Sequence, residues 1–222
     1  MRVARGLAGS SRSLAVTHIS SPTLVLGTTN VGKLRELTAL LGPFGITCLS
    51  LHDCPNAISV AETGTTFAEN AALKASQQAL ALNQWVLGED SGLEVDALDG
   101  APGVYSARFA GPDANDTANN QLLLERLANV PTGRRTAHYA CHAALAAPDG
   151  SIRATSAGRC GGQITETAHG QGGFGYDPYF MAPEYHRTFG ELAAAVKSLI
   201  SHRGRAIRDM LPQLVRLLNG HD

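Results

Sequence analysis

Three short stretches of this chain carry the residue types best suited to chemistry. The first is Gly27-Thr28-Thr29-Asn30-Val31-Gly32-Lys33-Leu34, which follows an apolar run and opens a helical pattern. Gly27, Gly32 and Lys33 meet the spacing G-x-x-x-x-G-K of a phosphate-binding loop, but Leu34 stands where that loop carries the Ser or Thr whose hydroxyl holds Mg²⁺. A polyphosphate cradled here would need carboxylates from elsewhere to hold a hard cation. Glu62 and the pair Glu89-Asp90 are the candidates. The third stretch, Lys197-Ser198-Leu199-Ile200-Ser201-His202-Arg203-Gly204, puts three donors on one short connection and suits phosphate or a purine carbonyl edge. Loop, acids and basic segment together suggest a nucleoside triphosphate site.

A base would need a surface of its own. Gly170-Gln171-Gly172-Gly173-Phe174-Gly175-Tyr176-Asp177-Pro178 is glycine-dense and aromatic. It reads either as a tight turn with Phe174 and Tyr176 in the core or as a loop whose ring stacks on a base, worth about 1–3 kcal/mol. Glycine on both sides of an aromatic favours the second.

The elements that must position these residues follow from periodicity. Leu24 to Leu26 reads as a buried strand, and Leu34, Leu37, Leu40 and Leu41 recur at helical spacing until Gly42-Pro43. The unpaired N–H groups of that helix would face the anion. Thr66-Phe67-Ala68-Glu69 is a capping box opening an alanine-rich helix to about Leu82, with Asn83 as its stop. Asn70 and Lys74 share one face near Glu62, and Lys74 reads equally as a solvated lysine or a phosphate ligand. Trp85 to Leu87 predicts a short strand that delivers Glu89-Asp90 beyond its C-terminal end. A helix is expected from about Asp116 to Ala128. Thr136 to Ala147 and Ser151 to Arg159 predict a β-hairpin across Pro148-Asp149-Gly150, expected to lie away from the chemistry. Thr188-Phe189-Gly190-Glu191 is expected to cap a short helix, and Pro212 to kink the last one.

Composition bounds the rest. The 222 residues suffice for a substantial core, and a formal net charge of −1 with interspersed signs excludes an extended nucleic-acid or anionic-membrane surface. Apolar runs fall short of the roughly 20 residues that span a bilayer, so a soluble, cytoplasmic protein is expected. Cys48, Cys54, Cys141 and Cys160 show no zinc-ligand spacing and read as reduced thiols. His138 and His142 share one strand face, but roughly 13 Å separates such positions, too far for one ion. Residues 1–21, rich in Arg and Ser, permit a transit peptide but lack an apolar h-region. They are read as a disordered tail, and 22–222 as a single domain.

Six ordered motifs carry a resemblance to the inosine triphosphate pyrophosphatase family. They are Thr28 to Lys33, Glu62 to Phe67 with Glu69-Asn70-Ala71, Asp90 to Leu93, Gly100 to Arg108, Gly173 to Pro178 and Ser201 to Gly204. The resemblance implies an α/β fold: an elongated mixed sheet flanked by helices, in two lobes with a nucleotide cleft between them, usually as a homodimer. It implies hydrolysis of non-standard purine triphosphates such as dITP, ITP and XTP to monophosphate and pyrophosphate, cleansing the nucleotide pool, with Mg²⁺ as cofactor. By motif position it implies that Thr28, Thr29, Asn30, Val31, Gly32 and Lys33 bind triphosphate, and that Glu62 and Asp90 hold the metal. Asp90 would accept the proton and Ser91 touch substrate. Phe174, Gly175, Tyr176 and Asp177 would frame the base, with Lys197, His202 and Arg203 completing recognition. The chain departs from the family pattern where Glu89 replaces an Asp, where Ala194-Ala195-Val196 replaces acidic residues, and at Leu199-Ile200.

A carboxylate that binds a cation is held ionised and weakly basic, so Glu89 or a metal-bound hydroxide stands beside Asp90 as proton acceptor. Selection is expected at the 6-position, because His202 and Arg203 can donate to a carbonyl while Arg cannot accept from an amine. A nucleotide sensor without turnover is the main alternative outside enzymes. Retention of Glu62, Glu89 and Asp90 argues against it.

Overall fold

The computed structural model describes residues 21–220, so the expected tail lies, Ser21 apart, outside the described residues. Thr23–Leu26 (β1) forms a strand with Leu24, Val25 and Leu26 buried. Asn30 caps α1 (Val31–Leu41), its side-chain oxygen accepting from the Lys33 N–H at 2.9 Å and satisfying one open donor of the first turn. A short turn over Gly42–Phe44 leads to β2 (Thr47–Ser50). α2 (Phe67–Leu82) opens on the expected capping box of Thr66 and Glu69 and stops at Asn83, which adopts the left-handed conformation.

β3 (Val86–Val95), β4 (Thr136–Ala146), β5 (Ile152–Ile164), β6 (Phe180–Ala182) and β7 (Arg187–Thr188) complete a seven-stranded sheet of order β2-β1-β3-β4-β5-β6-β7. β1 runs parallel to β2 and β3, and every other neighbouring pair is antiparallel. α3 (Asp116–Arg126), α4 (Ala194–Ile200) and α5 (His202–Leu218) flank it. This is the expected mixed sheet flanked by helices.

Strand alternation sorts the core. Leu24, Leu26, Leu87 and Leu145 meet Leu37 and Leu41 of α1 and Ile207, Met210 and Leu214 of α5. Val25, Val86, Ala144 and Ala146 point the other way, onto Ala71, Ala75 and Ala79 of α2. Leu93, Val95, Tyr139, Phe180 and Phe189 gather with Leu123 and Leu127 of α3 in a third cluster.

Three expectations are corrected. The strand after Trp85 does not end before the acids: β3 runs on to Val95, so Glu89 and Asp90 lie inside it. They nevertheless sit just past the end of parallel β1, whose pairing stops at Leu26 opposite Leu87, because antiparallel β4 supplies the later hydrogen bonds. The hairpin is not remote. β4 and β5 occupy the middle of the sheet, β4 pairing directly with the acid-bearing strand. Thr188 and Glu191 close a turn through Thr188 N–H to Glu191 Oε2 at 2.8 Å, but the helix begins only at Ala194. Pro212, expected to kink the last helix, lies inside α5.

α2 lies close on β3 because Gly88 has no side chain. A Cβ there would meet the Ala71 carbonyl oxygen at 2.3 Å and the Ala75 nitrogen at 2.6 Å, both backbone atoms that cannot swing away. Gly88→Ala is therefore expected to lower unfolding free energy by about 1–3 kcal/mol in urea titration, as overpacking does. An unchanged midpoint would show that α2 can lift from the sheet without cost.

Candidate active site

Neighbouring residues of a strand point to opposite faces, and Glu89 and Asp90 use this to enter different surroundings. Asp90 faces α2, following Gly88 at the same side of β3. Its Oδ1 accepts from Lys74 Nζ at 2.9 Å and its Oδ2 from Asn70 Nδ2 at 3.3 Å. Lys74 also stands 3.5 Å from Glu62 Oε2. Burial raises the Asp90 carboxyl above its ordinary value; Lys74 and Lys33 oppose that shift without cancelling it, and Glu62 adds to it. Lys74, left open between two readings in the sequence, is a buried ion-pair partner, and its ammonium is pushed up by Asp90 and Glu62 against its burial.

Glu89 faces α1 and α5. Its Oε1 accepts from Arg203 Nη2 at 2.9 Å and Nε at 3.2 Å, and from Cys141 Sγ at 3.2 Å, while Lys33 Nζ lies 2.9 Å from Oε2. Burial alone would raise this carboxyl, but Arg203 and Lys33 outweigh it and hold it well below the usual carboxylate range. Arg203 further donates to Glu36 and to Ser91 Oγ at 2.8 Å. Lys197 Nζ joins Glu36 Oε1 at 2.7 Å to Asp177 Oδ2. Glu36, Glu89 and Asp177 thus interlock with Lys33, Lys197 and Arg203. Arg203 is 1% exposed and Glu89 is 1% exposed, so neither charge has water as an alternative partner. Lys197, His202 and Arg203, unremarkable surface residues when read singly, are all buried.

The glycine-rich loop closes the other end. Phe174 is half-buried with Lys197 Nζ 4.9 Å and the Arg203 guanidinium carbon 5.7 Å from its ring centre, within cation–π range. Its ring lies on Gly32, where a Cβ would come within 2.4 Å of the ring. The phosphate-type turn and the aromatic loop therefore meet. Tyr176 and Asp177 turn inward: Tyr176 donates to the Ser106 carbonyl at 2.8 Å, and Asp177 Oδ2 accepts from the Phe174 N–H at 2.8 Å. His202 stacks on Tyr139 with ring centres 4.6 Å apart and planes 12° from parallel. Its Nδ1 is buried with no hydrogen-bond partner among the described residues. Burial and then Arg203 push the imidazole well below its ordinary pKa, so it is neutral at pH 7.

A cleft of about 570 Å³ joins these groups, large enough for a nucleotide-sized ligand. All the expected site residues line it except Val31, which is 70% exposed, and Gly32, which is covered by Phe174. Glu89 does not line it. Sequence reading passed over Glu36, Tyr139 and Cys141. Glu36 had a signal, standing three residues after Lys33 on the same helical face. Tyr139 and Cys141 had none, because the strand carrying them was expected elsewhere. Glu62 and Asp90 offer a divalent cation hard oxygens, with Lys74 held between them by ion pairs to both. Two carboxylates beside a phosphate-type loop fit Mg²⁺, which commonly takes its remaining ligands from phosphates and water.

A model of the Ham1 family matches residues 24–213. A Rhodopirellula baltica protein named dITP/XTP pyrophosphatase is 53% identical over 198 residues, covering 89% of this chain and 95% of its own. An Exiguobacterium protein of the same name is 50% identical over 197 residues, covering 89% and 99%. The solved structure of a HAM1 protein from Coxiella burnetii superposes with a TM-score of 0.76 at 37% identity, covering 89% of this chain and 98% of that one.

The neutral buried imidazole has a consequence for stability. The unfolded chain takes up a proton near the ordinary value of 6.5 while folded His202 does not, so stability falls as pH drops below that value. The slope reaches at most about 1.4 kcal/mol per pH unit. His202→Phe, which keeps the stack on Tyr139, is expected to flatten the urea-measured stability between pH 7 and 5.5. Parallel curves for the two proteins would place the proton elsewhere.

Proposed function

The chain belongs to the Ham1 family, and from that membership and the cleft we infer that it hydrolyses deaminated purine nucleoside triphosphates, dITP and XTP among them, to monophosphate and pyrophosphate. The observation that carries the reading is the joining, in one cleft, of a phosphate-type turn and paired carboxylates to a cluster of buried donors. The substrate spans the two: triphosphate on Thr28 to Lys33, base toward Phe174, Lys197 and His202.

At the phosphate end, Gly27, Thr28 and Asn30 already donate their N–H groups to Leu87, Leu26 and the Thr28 hydroxyl, so the N–H groups of Thr29, Val31 and Gly32 and the Lys33 ammonium bind the triphosphate oxygens. Glu62 and Asp90 would hold Mg²⁺, which supplies charge neutralisation and polarisation of the phosphate when bound. Asp90 orients a water toward the α-phosphorus and takes its proton; the new P–O bond forms as the bond to the β-phosphate oxygen breaks and pyrophosphate leaves. Support for Asp90 comes from its place on the cleft beside Glu62 and Lys74. Glu89 is not the base in this reading, since it is turned off the cleft and held ionised by Arg203 and Lys33. Lys74 orients Asp90.

At the base end, Arg203 is occupied by Glu36, Glu89 and Ser91. Discrimination then falls on Lys197, whose third N–H can donate to a 6-carbonyl and can accept nothing from an amine. A buried donor left unpaired costs about 1–3 kcal/mol, which disfavours ATP. Residues 22–222 act as one catalytic domain in this reading. A two-lobed cleft and a homodimer belong to the same proposal and are supported by the resemblance to the family, and a cytoplasmic setting belongs to it on the strength of the free cysteines Cys48, Cys54, Cys141 and Cys160. Among the described residues no helix is long and apolar enough to cross a membrane.

Pyrophosphate release from dITP, XTP, GTP and ATP with Mg²⁺ tests the reading. Turnover of dITP and XTP well above ATP is expected, with Asp90→Asn slower by about 10²–10⁴-fold, the scale of a lost acid–base group. Equal rates across the four would end the 6-carbonyl argument, and binding without release would make the protein a sensor.

A further inference from the structure

One element touching the aromatic loop plays no part in the mechanism above. Gly175 has both of its backbone groups captured by the first turn of α3. Its N–H donates to Asp116 Oδ2 at 2.7 Å, and its carbonyl accepts from Asn120 Nδ2 at 2.9 Å. Asn120 Nδ2 also donates to the Asp116 carbonyl at 2.8 Å, which ties the two clamp residues together. These contacts span 59 and 55 residues of sequence. They act where the chain has least preference of its own, since Gly173 and Gly175 take φ of +74° and +62°. Glycine populates both signs of φ readily, so external bonds must select the loop's conformation. Inside the loop, Asp177 fixes Phe174 by accepting its N–H, and Lys197 fixes Asp177. Gly175 lies between those anchors and is held only from α3 among the contacts of the described residues.

We propose that Asp116 and Asn120 are positioning residues for base recognition: the α3 clamp on Gly175 sets the place of Phe174 over Lys197. The proposal rests on the pyrophosphatase reading. Asp116 and Asn120 hold Gly175 and contact the triphosphate turn only through Phe174, whose ring lies on Gly32, so the base end is expected to feel their loss more than the phosphate end. Asp116→Asn keeps an oxygen that can accept from the Gly175 N–H, Asp116→Ala removes it, and Asn120→Leu removes the donor.

The test measures KM and kcat for dITP, competitive inhibition by inorganic tripolyphosphate as a probe without a base, and amide hydrogen exchange of residues 170–179 in the free protein. For Asp116→Ala and Asn120→Leu the expected result is faster exchange in that segment and KM for dITP raised about tenfold, as one lost charged or buried bond would give. Inhibition by tripolyphosphate should weaken clearly less than dITP does, and Asp116→Asn should recover most of the loss. Weakening of dITP and tripolyphosphate to the same degree would overturn the proposal in favour of a general structural role. So would faster loop exchange with KM unaltered. If the wild type fails to hydrolyse dITP, the pyrophosphatase reading fails, and the exchange measurement still decides the clamp: unchanged exchange in both variants overturns it.

Discussion

The buried ion cluster around Arg203 is the constraint on which the rest of the molecule depends. Taking one guanidinium and its carboxylates out of water is unfavourable unless geometry and hydrogen bonding repay it. Here the repayment requires α1 to bring Glu36 and Lys33, β3 to bring Glu89 and Ser91, and α5 to bring Arg203 from its first turn. Three elements distant in sequence are thereby fixed at one point. Lys197 extends the cluster from Glu36 to Asp177 and so reaches the aromatic loop. Because a charge left unpaired there has no water to turn to, the arrangement admits few alternatives.

Strand alternation divides the work between adjacent carboxylates. Glu89, on the α1 and α5 side, is structural: held ionised and turned off the cleft. Asp90, one residue on, enters a smaller and more open group with Lys74, Asn70 and Glu62, where burial raises its proton affinity. A single Glu-Asp pair thus supplies a buried anchor and a carboxylate on the cleft, and Gly88 lets α2 approach closely enough to bring Lys74 to the second of them.

Much of this was legible in the residues. The capping box at Thr66 and Glu69 and the stop at Asn83 are local chemistry, and the sequence alone suffices to place them. The turn from Gly27 to Lys33 stood out by its spacing, and Glu62, Glu89 and Asp90 by their places before a helix and after an apolar run; the fold brings Lys33, Glu62 and Asp90 to one cleft. What was not legible is tertiary. The length of β3 depends on antiparallel pairing with β4, so a strand that looks finished at Leu87 runs eight residues further to Val95. The burial of Arg203 and Lys197 depends on Glu36 and Glu89 arriving from elsewhere, and nothing local in Ser198 to Gly204 records that. Asp116 read only as a helix start because its partner, Gly175, lies far along the chain.

The most direct measurement is a double-mutant cycle on the central pair, with Arg203→Met, Glu89→Met and the double variant compared by urea unfolding. Either single change should destabilise the fold by about 3–5 kcal/mol, because it strands a buried charge, and the double variant should be markedly more stable than the sum of the two losses. Small, additive losses from the single variants would contradict the account, showing that Glu89 and Arg203 are not coupled and that the cleft is held together by something else.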